Sequence, residues 1–156
     1  MIRVQEQDFD IGLEVSKLTD GNTRIGGVCF FVGLVRDFAG DQEVSNLTLE
    51  HYPGMTEKQL QDVEAEAKAR WPLEASLIIH RFGKLAAGDN IVMVAAASEH
   101  REAAFEACQF LMDWLKTKAP FWKKESSPDG AHWVAAKADD EAQAERWNSH
   151  KKETDG

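Results

Sequence analysis

Only two cysteines occur in the 156 residues, Cys29 and Cys108, each inside an apolar run (GVCFFVG and FEACQFLM). That is too few for a disulfide framework. Both read as small buried hydrophobes, with a single bridge between them left open but disfavoured in a reducing compartment. The five histidines, His51, His80, His100, His132 and His150, are scattered and make no closely spaced ligand pair, so no metal site and no resident cofactor is expected. Long apolar runs are missing too: the longest, 28–35 and 91–97, fall far short of the ~20 residues that span a bilayer. The opening MIRVQEQDFDIG has neither the basic start nor the apolar stretch of a secretory signal. The expectation is a soluble, cytoplasmic protein without a membrane partner. Cations are scarce as well, 18 Lys and Arg against 27 Asp and Glu for a net charge of -9. That sign argues against nucleic acid or an anionic membrane as the main partner, and any bound anion must be met by a local basic cluster.

What is present suffices for one core. Hydrophobic residues make up 43% of the chain, with five Trp and eight Phe, so a single domain over 1–147 is expected, with 148–156 as a frayed tail. The run 25–36 (IGGVCFFVGLVR) reads as a buried strand whose glycines mark a bulge or a close backbone approach. A polar loop, DFAGDQE, follows. The segment 44–52 alternates, with Leu47, Leu49 and His51 on one face, and Pro53-Gly54 ends it. Thr56 to Gln59 fits a capping box that opens a helix to about Arg70, with Leu60, Val63, Ala67 and Trp71 inward and Glu57, Asp62, Glu64, Glu66 and Lys68 toward water. The segments 76–82 and 90–97 form an antiparallel strand pair across Gly83 and Gly88-Asp89. Ser98 is the expected cap of a second helix carrying Ala104, Cys108, Leu111 and Leu115, which Pro120 stops. Then come a loop (PFWKKESSPDG), a short strand near 132–136 and a short acidic helix at 139–147. The class is α+β, with a mainly antiparallel sheet and packed helices.

The informative anomaly is charge placement. Lys116, Lys118, Lys123 and Lys124 fall within nine residues that contain no acid. The macrodipole of a helix C-terminus accounts for the first two and a solvated loop for the others. Their interleaving with Pro120, Phe121 and Trp122 favours an aromatic-walled pocket for an anionic heterocycle. At the other end of the same helix, His100-Arg101 puts a cation in the first turn, against the macrodipole. An ordinary solvated turn is one reading, and a bound phosphate at that terminus, which would reverse the penalty, is the other. Arg36 leaves the buried strand where loops begin, and pairing with Asp37 or Asp41 is an equal alternative. No nucleophile elbow, phosphate-cradling Gly-Lys-Ser/Thr loop or dinucleotide glycine spacing occurs. His80 and Arg81 lie within a strand and read as sheet-face residues with satisfied partners.

The stretches LEHYPGMTEKQL, IIHRFGKLAAGDNIV and SEHREAAFEACQFLMDWLKTKAPFWKKE, followed by Trp133-Val134, resemble the large, catalytic subunit of molybdopterin synthase from about Gly26 to Trp147. The resemblance implies a hammerhead-like α+β fold and a sulfurtransferase of molybdenum cofactor biosynthesis. In that family two sulfurs pass to cyclic pyranopterin monophosphate, forming the molybdopterin dithiolene. The sulfur comes from a thiocarboxylate on the C-terminal Gly-Gly tail of a small ubiquitin-like partner. The assembly is a homodimer of catalytic subunits with one small subunit at each far end, a heterotetramer. Carried over position by position, the resemblance implies Lys116 and Lys123 as catalytic, Arg36, His100 and Arg101 as substrate-binding, and Lys137 as a basic residue offered by the neighbouring subunit. Lys116, beside Lys118 and Lys123, is a candidate general acid or base, or a transient nucleophile. Two other readings stand beside this one: a non-catalytic module that docks a ubiquitin-like tail, and another anion-binding enzyme such as a phosphate-ester transferase.

Overall fold

The computed structural model describes residues 1–36, 38–39, 42–43, 46–127, 130–134 and 147, and the side-chain surroundings of 1–36, 47–122 and 147. Four strands form the main sheet: β1 (Ile2–Gln5), β2 (Gly27–Leu34), β6 (Leu73–Arg81) and β8 (Asn90–Ser98), in the order β1-β6-β8-β2. The pairs β6–β8 and β8–β2 are antiparallel, and β1 joins parallel to β6. Both faces are covered. Ile78, Val92, Val94 and Ala96 face helices α2 (Met55–Arg70) and α3 (Arg101–Thr117), where they meet Leu60, Val63, Ala67, Ala107, Cys108, Phe110 and Leu111. The alternate residues Leu77, Ile79, Met93 and Ala95 meet Phe9, Ile11, Val15 and Leu18 on and beside helix α1 (Ile11–Thr19). Two-sided burial explains why β6 and β8 read as apolar runs; β2, expected to be buried, is not, since it stands at the sheet edge with Phe30, Phe31 and Leu34 exposed.

A second, wholly antiparallel sheet runs β10-β9-β5-β7, from β5 (Asn46–His51), β7 (Gly83–Leu85), β9 (Phe121–Ser127) and β10 (Gly130–Val134). A two-stranded ribbon, β3 (Phe38–Ala39) with β4 (Gln42–Glu43), lies within the expected loop after β2. Val35, Leu47, Leu49 and Leu85 form a small core under the second sheet. That sheet grows from one end of the main sheet, because β6 passes into β7 through Phe82 and β7 reaches β8 through 86–89.

Several expectations are corrected. The lysine-bearing FWKKESS segment is a strand, not a loop, and β9 lies between β5 and β10. Helix α2 begins at Met55, with Glu57 Oε2 accepting from the Gly54 amide at 2.6 Å. Thr56 is fully buried, and its hydroxyl accepts from the Tyr52 amide at 3.1 Å instead of capping. Ser98 is the last residue of β8, donates to the Pro72 carbonyl at 2.9 Å, and leaves the N-cap position to His100. Glu64 turns inward, not to water: it accepts from the Met1 ammonium and, at 2.8 Å, from the Ser76 hydroxyl. Elements β1 and α1 were not anticipated, and Gly83–Leu85, expected within a turn connection, is strand β7 paired to β5. The glycine reading holds at two places, since a Cβ on Gly26 would sit 2.0 Å from the Glu99 carbonyl oxygen, and the β2–β8 register shifts at Gly33/Leu34. Both cysteines are free. Burial, and then its neighbour Cys29, raises the Cys108 thiol well above the ordinary range.

Of the helix expected at 139–147 only Trp147 is described. It is helical and docks between α2 and α3, edge-on to Trp71 and Phe110, with its indole N–H donating to Asp113 at 2.6 Å. The expected tail at 148–156 lies outside the described residues.

Candidate functional site

The direction of α3 decides where the candidate cations fall. It starts just beyond Ser98 at the end of β8, and seven residues into it the Cys108 thiol lies 3.8 Å from the Val94 carbonyl at mid-strand. The helix therefore runs back along β8, and its last turn reaches the Asn90 end. Fifteen residues separate Arg101 from Lys116, which at 1.5 Å per residue is about 22 Å. Strand β2 spans the same length in register, Gly27 opposite Ser98 and Leu34 opposite Asn90. Arg36, two residues beyond Leu34, thus belongs to the Lys116 end, where Val35 is pinned by its amide to the Asp89 carbonyl at 2.9 Å. Within one chain, then, His100 and Arg101 stand at one end of the sheet, and Arg36 and Lys116 at the other.

At the first end His100 is open to solvent, its Nε2 3.7 Å from Glu99 Oε1 and its side chain making no capping bond. Arg101 is exposed in the first turn. At the second end Arg36, Lys116 and Lys118 are exposed. Among the described residues no carboxylate pairs with Arg36, Arg101, Lys116 or Lys118. Exposed cations left unpaired in so acidic a chain raise the local potential for an anion. The alternatives of Arg36 pairing with Asp37 or Asp41 lie outside the described residues. Lys123 is placed by backbone alone, on β9 opposite Leu49 on one side and Val134 on the other. Lys137 lies outside the described residues.

The chain turns from α3 into β9 over aromatic support. The Lys118 amide closes the helix on the Trp114 carbonyl at 2.8 Å, and the Phe121 amide donates to Ala119 at 2.8 Å. The Thr56 hydroxyl lies 3.5 Å from the Pro120 carbonyl, and Trp122 meets Tyr52 edge-on at 4.5 Å. Phe121 pairs across strands with His51 and stacks on His80, with ring centroids 3.7 Å apart. The residue types of this support, His51, Thr56 and His80, were visible in the sequence, but nothing in their spacing points at Phe121. His80 and Arg81 are sheet residues with partners, as expected: Arg81 donates to the backbone carbonyls of Glu6 and Asn90. Among the described residues no group of three His, Cys, Asp or Glu side chains is placed to hold a metal ion, and no helix is long and apolar enough to cross a membrane.

Residues 4–118 match the family described as MoaE protein, a span that takes in the N-terminal segment which the sequence resemblance left outside. The chain is 54% identical over 146 residues to the molybdopterin synthase catalytic subunit of Pseudomonas aeruginosa, covering 94% of this chain and 97% of that one. It is 47% identical to the protein of the same name from Vibrio cholerae, over 94% and 97% of the two chains. A solved structure of the molybdopterin biosynthesis MoaE protein from Burkholderia ambifaria superposes with a TM-score of 0.82 at 51% identity, over 95% and 97% of the chains. The molybdopterin synthase structure from Staphylococcus aureus superposes at 0.79 with 29% identity, over 85% and 96%. With its α+β fold, its cations at the two ends of α3 and its match over most of its length, the chain belongs to the MoaE protein family.

Proposed function

We propose that this chain is the catalytic subunit of a molybdopterin synthase, a sulfurtransferase working in the cytoplasm. Two sulfurs pass in turn to cyclic pyranopterin monophosphate, each from one thiocarboxylated Gly-Gly tail of a small ubiquitin-like partner that ends as a carboxylate, giving the dithiolene. The observation that carries this reading is the set of exposed cations without carboxylate partners among the described residues, in a chain of net charge -9. Substrate phosphate and tail thiocarboxylate are both anionic, and their repulsion is offset by Arg and Lys, most strongly once water is excluded.

One chain cannot surround the substrate, because about 22 Å of helix separates Arg101 from Lys116. A twofold dimer solves this. The His100-Arg101 end of one α3 meets the Arg36, Lys116 and Lys123 end of its partner, and symmetry yields two equal sites. Lys137 also reaches across from the neighbouring subunit. His100, Arg101 and Arg36 hold the phosphate and the pterin, with free amides at the start of α3 adding donors. Lys116 moves the proton or attacks the tail carbonyl, and Lys123 supports it. With one small subunit at each far end, the assembly is a heterotetramer.

The test is sulfur transfer to the pterin precursor by purified protein mixed with thiocarboxylated partner. Conversion of the precursor to the dithiolene product is expected. Tight tail binding without turnover would make the chain a docking module, and a monomeric mass by light scattering, unchanged by the partner, would remove the shared site.

A further inference from the structure

Where the two sheets meet, four aromatic side chains gather behind the turn from α3 into β9. His80, near the end of β6, is buried, and its Nδ1 lies 2.8 Å from the carbonyl oxygen of Arg81. A carbonyl only accepts, so Nδ1 carries the proton. That hydrogen bond fixes the plane of the ring. Phe121, the first residue of β9, lies flat on it, with centroids 3.7 Å apart and planes inclined by 13°. On its other strand neighbour Phe121 faces His51, whose ring is 6.1 Å away and in turn leans on Phe82 at 4.3 Å.

This stack stands between two parts that must keep register. The end of α3 is held by packing of Ala107, Cys108 and Leu111 on β8. The start of β9 follows α3 after Lys118, Ala119 and Pro120; it is a separate strand laddered to β5, and Phe121 packs on the core that also holds Leu111 and Leu115. Lys116 lies on the first part, and Lys123 lies two residues beyond Phe121, about 7 Å along the second. The β5 ladder fixes the strand itself, and a flat ring against a flat ring, oriented by a backbone hydrogen bond, adds a contact from the main sheet that sets where its first residue sits.

We propose that His80 is a positioning residue for sulfur transfer: its ring, locked by the Arg81 carbonyl, seats Phe121 and so sets β9, with Lys123, against the Lys116 end of α3. The proposal rests on the reading of the chain as a molybdopterin synthase catalytic subunit. His80 itself touches no reacting atom.

The experiment measures single-turnover sulfur transfer, precursor affinity and partner affinity for the wild type, His80→Leu, His80→Phe, Phe121→Leu and the double variant His80→Leu/Phe121→Leu, each in the complex with thiocarboxylated partner. A misplacement of roughly 1 Å costs up to about a hundredfold, so His80→Leu is expected to slow transfer about tenfold or more with both affinities within about twofold of wild type. His80→Phe keeps a flat ring but loses the donor to the Arg81 carbonyl, so its rate is expected to fall between those of His80→Leu and wild type. Phe121→Leu should match His80→Leu, and the double variant should be no slower than either, because the two rings act as one unit. A wild-type-like rate in His80→Leu, a wild-type-like rate in His80→Phe, which would show that the lock on the Arg81 carbonyl does nothing, or multiplying losses in the double variant each overturn the proposal. Should His80→Leu not fold, a wild-type rate in Phe121→Leu overturns it equally. Wild-type protein that transfers no sulfur overturns instead the reading of function on which it stands.

Discussion

The two ends of the main sheet differ in how much of their closure is backbone and how much is side chain. At the Ser98 end backbone meets backbone: the Gly26 amide donates to the Ser98 carbonyl at 2.9 Å, and Gly26 leaves no room for a side chain beneath Glu99. His100 and Arg101 stand on this rigid step with little around them. At the Asn90 end side chains add to the backbone pairing of Val35 with Asp89 and Gly88. His80, Phe121 and His51 stack there, and Asp8, Arg81 and Asn90 join in a polar seal. The first end offers cations on a fixed platform, whereas the second offers cations on elements that must be held together. A site assembled from one end of each chain combines both properties.

The largest effect should come from the second end. Lys116→Ala is expected to lower single-turnover sulfur transfer by about 10² to 10⁴, the span for losing a positioned acid or base, while partner affinity holds. Lys116→Arg sharpens the comparison, because it keeps the charge but cannot release a proton near neutral pH. Rates for Lys116→Arg close to wild type would reduce Lys116 to an electrostatic clamp.

At the first end, Arg101→Ala should weaken precursor binding by about 1.5 to 3 kcal/mol, the value of a lost charge-assisted hydrogen bond, as read by titration calorimetry. Mixing this variant with Lys116→Ala tests whether the ends really meet across two chains. After subunit exchange half of the dimers are mixed, and in each of these one site carries both defects and the other neither. Activity should then recover to about a quarter of wild type. If each site is built within one chain, mixing recovers nothing.

Gly26→Ala probes the platform itself. Its Cβ would lie 2.0 Å from a backbone oxygen, which cannot swing aside as a side chain would. A loss of about 1 to 3 kcal/mol in unfolding free energy is expected. A melting temperature equal to wild type would mean the step at Glu99 yields, contrary to its tight backbone packing.

Legibility followed the same division. Strands β6 and β8 and helices α2 and α3 could be read because apolar length and 3.6-residue spacing report burial directly, whereas the apolar run of β2 gave the strand but not its exposure. Strand β9 could not: KKESS has no strand pattern, and it is a strand because β5 and β10 supply partners on both sides. Element β1 is a short edge strand whose residues are only half-buried, so its alternation is weak. Thr56, Ser98 and Glu64 each look like surface or cap residues, and tertiary partners draw them inward. For the site, residue types at Arg36, His100, Arg101 and Lys116 stood out by charge alone. Their separation was also available, since fifteen positions on one helix already mean about 22 Å. The aromatic seat of Phe121 was not, because His51, His80 and Phe121 are far apart in sequence and meet only through strand pairing.

The smallest effect tests the polar seal of the second end. Asp8 accepts from the Phe9 amide at 2.8 Å and from the Asn90 side chain at 3.0 Å, with the Arg81 guanidinium 4.0 Å away. The Phe9 amide first, then Asn90 and Arg81, hold its carboxyl below the ordinary value of 3.8. A carboxyl lowered on folding contributes stability above its unfolded value, and the contribution fades as pH falls through the folded one. Asp8→Asn should therefore melt slightly below wild type at pH near 7, by no more than about 0.5 kcal/mol for so exposed a group. As the pH drops below about 3.8 the gap should close, because the wild-type carboxyl is then protonated in both states. A gap that persists unchanged at low pH would show that Asp8 contributes through shape and neutral hydrogen bonds, and that charge plays no part in closing this end of the sheet.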